Sequence, residues 1–152
     1  MASKGLRLRL EIEGDGETVE SIRALGERAN NAKPVLTVIQ KLMEQGAEEQ
    51  FATKGARGGM SWQVDKDTTI ARKVAAGESR DTEVRTGDLA RSLLGGGSGS
   101  TIRRLSKSST TYGTRVFYAV FQGHRRQLLR LTTRDADAWS EKMVRWILDG
   151  EV

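Results

Sequence analysis

The residues able to do acid–base or nucleophilic chemistry are few and poorly placed for it. His124 is the only histidine and there is no cysteine, so the common histidine-paired nucleophiles are missing and proton transfer would fall to carboxylates. Asp65 and Asp67 stand two apart, but on an irregular segment such a pair is ordinary solvated surface. "GARGG" at 55–59 has glycines without the Lys-Ser/Thr of a phosphate-binding loop, and no strand-to-helix junction frames it. One histidine with scattered carboxylates makes no transition-metal set. The expectation is therefore no enzyme, no cofactor and no metal.

Charge says more. The net charge is +5, and 15 of the 20 acids lie no later than Asp88. Between Asp88 and Asp135 there is no acid, while Arg91, Arg103, Arg104, Lys107, Arg115, Arg125, Arg126, Arg130 and Arg134 are all positive. Such polarity suits DNA, and equally suits head-to-tail contact between identical subunits, acidic half against basic half. Tyr112, Phe117, Tyr118 and Phe121 lie among these cations, and aromatics between cations can stack on bases. Phe117, Tyr118 and Phe121 nevertheless sit in the pattern of a buried strand, which leaves Arg125 and Arg126, with His124, as the exposed groups.

The elements that position these residues follow from periodicity. Leu6, Leu8, Leu10 and Ile12 alternate with charges, as in a half-buried strand. Val19, Ile22, Leu25 and Ala29 recur at helical spacing. Pro34 starts a second, more apolar helix that is expected to end near Gly46, making a hairpin or a kinked pair with the first. From Phe51 to Gly77 no period is sustained, apart from a short helix at Thr69–Ala75. "TGDLARSLL" is a short helix capped by Thr86 or Asp88. Thr101–Ser106 and Arg115–Phe121 are predicted strands joined by "SKSSTTYG", the second apolar on both faces and hence central. "TTRDADAWSEKMVRWILDG" is a terminal helix capped by Thr132 or Thr133 and stopped by Gly150.

At 152 residues the chain is read as one domain, 1–152. It is α+β: a small, mainly antiparallel sheet with helices on one face and long flexible loops near 52–68 and 95–111. With 37% apolar residues, 5% aromatics and 17 glycines, the core is modest and partners are expected to complete it. The absence of cysteine fits a reducing cytoplasm. The N-terminal residues lack the apolar centre of a signal peptide, and no apolar run approaches the roughly 18 residues of a membrane span.

The order of small motifs is more specific than any one of them. Phe51 and Trp62 flank the glycine loop. Thr86-Gly87-x-Leu89 precedes Ser92, and Gly113-Thr114, Tyr118-Ala119 and Gln122-Gly123 follow. An arginine before an apolar segment and an Asp-rich helix start complete the set. Over nearly the whole chain this order resembles the bacteriophage virion morphogenesis or tail completion family of Mu-like and P2-like phages. It is also similar in layout to the tail terminator and neck proteins of long-tailed phages. Phe121 stands where that family has a histidine.

The resemblance implies a structural virion protein of the head–tail neck, assembled in the host cytoplasm as a homo-oligomeric, hexameric ring. Its partners would be the tail tube protein and the head connector or head completion protein, with non-specific DNA in the channel and no membrane. Arg103, Arg104, Arg115, His124, Arg125 and Arg126 are the expected oligomer or partner interface, with "GHRRQ" as a turn into a further strand. Gly55, Arg57, Gly58, Gly59, Trp62, Gly96 and Gly97 are expected in loops that order on assembly. A basic DNA-binding protein acting in packaging or assembly is the alternative.

Overall fold

A computed structural model describes residues 16–78, 80, 87–94 and 99–152, with the side chains of His124 and Arg125 excepted. The strand expected at 6–12, together with Thr86, Gly96 and Gly97, lies outside the described residues. Among the described residues the architecture is α+β: six helices and a two-stranded antiparallel hairpin packed against helices. In chain order the elements are α1 Gly16–Asn30, α2 Lys33–Ala52, a 3-10 turn Ala56–Gly58, α3 Asp67–Ala75 and α4 Asp88–Leu93. The strands β1 Thr101–Leu105 and β2 Thr110–Thr114 follow, then α5 Ala119–Arg126 and α6 Thr133–Asp149.

Pro34 occupies the first turn of α2, where its missing N–H removes no intrahelical bond. The helix does not stop near Gly46 as expected but continues to Ala52. Gly46 serves a close approach instead, since a Cβ there would lie 3.2 Å from the Arg57 guanidinium. Helix α1 packs on α6 rather than folding back along α2, and Trp146 Nε1 donates to the Arg28 carbonyl at 3.2 Å. Helix α6 opens with a capping box in which Thr132 Oγ1 accepts from the Asp135 N–H and Asp135 accepts from the Thr132 N–H. Gly150 ends it at φ 77°. Gly87, not the Asp88 side chain, occupies the N-cap of α4.

The largest correction concerns residues 110–126. The second strand is Thr110–Thr114, paired antiparallel with β1 in the register Thr101↔Thr114 through Leu105↔Thr110. The turn tightens around Ser106, whose backbone N–H donates to the Ser109 carbonyl at 2.8 Å and whose Oγ accepts from the Ser109 N–H at 2.9 Å. At the other end Thr114 Oγ1 accepts from the Val116 N–H at 3.1 Å, turning the chain out of the sheet.

Residues expected to form a central strand, Arg115–Phe121, are therefore a turn and the start of α5. An unbroken apolar run carries no period that separates a strand from a buried helical segment. "GHRR" lies within α5, Gln127 ends it in the left-handed conformation, and no further strand follows.

Two apolar clusters result. In the first, Ala32, Val35, Leu36 and Ile39 are covered by Met43, Leu105, Trp139, Met143 and Trp146. In the second, Trp62, Leu89, Leu93 and Leu128 are covered by Phe51, Val116, Tyr118 and Ala119.

Candidate functional site

The glycine loop is built on the C-terminal end of α2. Lys54 and Gly55 both have positive φ, 48° and 87°, which reverses the chain. A Cβ on Gly55 would collide with the Met60 carbonyl and lie 2.5 Å from Trp62 Cδ1, so this position needs glycine for space as well as conformation. Trp62 is thereby brought under the loop. Its ring meets Phe51 edge-on at 5.1 Å, and its Nε1 donates to the Arg126 carbonyl at 2.6 Å. Gln50, fully buried, accepts from the Gly58 N–H at 3.0 Å and donates to the Gln127 carbonyl at 3.0 Å. One side chain of α2 thus joins the loop to the end of α5.

Arg57 leaves the same loop and reaches two carboxylates, Glu49 Oε2 at 2.7 Å and Asp135 Oδ1 at 2.5 Å. The hydrogen bond to Asp135 raises the Arg57 pKa, burial opposes it, and Glu49 adds to the rise. Burial pushes the Asp135 carboxyl up, but hydrogen bonds from Arg57 and Thr132 outweigh it and leave the group below its ordinary value. Beside this pair a cavity of about 270 Å³ opens between α2, α6 and residues 129–131, lined by Leu42, Met43, Tyr112, Leu131 and Trp139 among others. Burial, with Glu44, pushes the Tyr112 hydroxyl to about 12, so it stays neutral and donates to the Leu93 carbonyl.

The expected basic interface is not one free patch. Arg103 pairs with Glu44 at 2.6 Å. Arg126, expected to be exposed, is mostly covered and lies 3.6 Å from Asp65, which also holds Lys73 at 3.0 Å. Asp65 is thus the anchor of a three-member cluster rather than solvated surface. Arg104 and Arg115 are exposed. His124 and Arg125 lie on α5. Of the loop residues, Gly58 bonds to Gln50, Gly55 and Trp62 meet each other, Arg57 turns to Glu49 and Asp135, and a Cβ on Gly59 would meet nothing within 4 Å.

What the sequence reading missed is the outer side of α5. Phe117 is 81% exposed and Phe121 70%, with Val120 also on the surface, although all three were expected in a buried strand. Val116, Tyr118 and Ala119 turn toward the second cluster instead. Among the described residues no group of three or more His, Cys, Asp or Glu is placed to hold a metal ion, and no helix is long and apolar enough to cross a membrane. Compared with known proteins, the chain matches no family model, no curated protein and no solved structure.

Proposed function

We propose that this chain is a structural virion protein, a subunit of an oligomeric ring in the phage neck that completes or terminates the tail and joins it to the head connector. The observation that carries this reading is the aromatic ridge of α5. Phe117, Val120 and Phe121 are uncovered in the single chain, and a contiguous patch of large apolar side chains marks a contact surface. The motif order described above supplies the phage assignment, and the uneven charge suits contacts between unlike faces of identical subunits. The test is the mass of the purified protein across concentration and salt, with imaging of particles from an infection lacking it. A ring, together with filled heads and unjoined tails, is expected. A strictly monomeric protein whose absence leaves virions normal overturns the assignment.

The second reading, a DNA-binding protein, is favoured by the exposed cations at the hairpin tip, Arg104 and Lys107. It requires duplex affinity that falls steeply with added salt and is lost on Arg104→Glu with Lys107→Glu. Ring assembly unaffected by that change, with no salt-dependent DNA binding, decides for the first reading.

A further inference from the structure

Helix α6 has two faces. Trp139, Met143 and Trp146 pack inward on the first apolar cluster. On the outside, Asp137, Glu141, Val144 and Leu148 follow one another at steps of four, three and four, with Glu151 three residues further, just past the helix end. The four helical residues so spaced form one stripe, whereas Glu151 follows the left-handed cap Gly150 and is outside the helical repeat. All five are exposed, Val144 and Leu148 by 52% and 57%. The stripe is therefore two aliphatic side chains with Asp137 and Glu141 on the preceding turns, while Lys142 and Arg145 stand with Glu141 and Glu151 around a neighbouring pocket. Arg145 on its flank is engaged by Glu141 at 2.6 Å, while Asp137 and Glu151 make no ion pair among the described residues.

The ridge on α5 is its opposite in charge. Phe117, Val120 and Phe121 stand in a stretch of 46 positions, 89–134, without an acid, and Arg115 beside them is exposed. Three acids from other segments, Asp65, Glu78 and Asp88, line the pocket beside Phe117 together with Arg72 and Lys73; Asp65 is engaged by Lys73 and Arg126, and Asp88 by Arg91. Neither surface covers the other within one chain, since both are exposed.

We propose that the α5 ridge of one copy docks on the outer α6 stripe of a second copy. This rests on the ring reading and names its contact. Ridge on ridge would set cations against cations, and stripe on stripe acids against acids, both unfavourable. Ridge on stripe joins apolar centres inside rims of opposite charge, the usual anatomy of a specific interface. Two different patches on each copy make the contact heterologous, and such a contact repeats into a ring or a filament rather than stopping at a dimer.

The absence of native cysteine makes the contact directly testable. Val120→Cys and Leu148→Cys, both at exposed positions, are combined in one full-length chain and treated with a short bis-maleimide, with the oligomer mass measured alongside. The expected result is a ladder of covalent trimers and larger species from the double variant, and essentially none from either single variant. Phe121→Glu is expected to raise the concentration for half-assembly by about tenfold or more while leaving the circular dichroism unchanged. Covalent dimers from either single variant would show like faces meeting and overturn the proposal. An oligomer by mass that yields no ladder overturns this contact and leaves the ring standing, whereas a chain monomeric at every concentration overturns both.

Discussion

The core between α2 and α6 is held by apolar side chains that repeat along helices, whereas the core beneath the glycine loop is held by polar groups that each join distant segments. In the first, Val35, Leu36 and Ile39 come from one helix and meet Trp139, Met143 and Trp146 from another. In the second, Trp62, the α4 pair Leu89 and Leu93, and Leu128 come from three separate segments, tied by Gln50, by Trp62 Nε1 to Arg126 and by Ser92 Oγ to Thr114 Oγ1 at 2.7 Å. Dispersion between helices degrades gradually when a side chain changes shape. A buried polar bridge fails at once, because each partner it abandons keeps its desolvation cost. The two halves should therefore respond differently to equally conservative changes.

The largest effect is expected from Trp62→Ala, which removes a buried ring, its contact with Phe51 and the bond to Arg126. A loss of about 3–5 kcal/mol is expected in urea unfolding. A loss under about 1 kcal/mol would mean that the second core is not a core. Next, and more discriminating, is a pair of near-isosteric changes. Gln50→Met keeps the volume but strands the Gly58 N–H and the Gln127 carbonyl, and should cost about 2 kcal/mol. Met43→Leu in the other core should cost less than about 1.5 kcal/mol. Equal costs would erase the distinction drawn between the halves.

That distinction also explains what was legible in the sequence. Helices α1, α3 and α6 were readable because amphipathic spacing and end signals are local, and Thr132 is one of the two caps expected for α6. The hairpin was readable as a hairpin, but its second strand was set several residues too late. Threonines at 110, 111 and 114 carry β2, while the more apolar run after them drew the assignment. Gly55 and Trp62 were named as parts of one glycine loop, through the resemblance to a known family, and the fold sets them against each other. Gln50 falls three residues after Ala47 on the buried face of α2, a polar residue on an apolar stripe, and that spacing was the available clue. Asp135 had no such clue, because its partner Arg57 is 78 residues away and only the folded chain brings them together.

Asp135 belongs to α6 and Arg57 to the glycine loop, so their pair is the joint between the two halves. The folded Asp135 lies below its ordinary pKa of 3.8. As pH falls, the unfolded chain therefore takes up this proton first. The stabilisation is fully present above the ordinary value and is lost as pH drops from there toward the depressed folded value. Asp135→Asn keeps an acceptor for the Thr132 N–H but removes the charge that Arg57 faces, with Arg57 still holding Glu49. The expected cost is about 1–2 kcal/mol near pH 7, and it should be smaller at a pH below the ordinary value of 3.8, shrinking as pH falls toward the depressed folded value. Urea midpoints of both proteins at the two pH values measure it. A difference that stays constant with pH would show that the carboxylate acts through its cap geometry alone. The two cores would then be joined by Gln50 and backbone contacts rather than by charge.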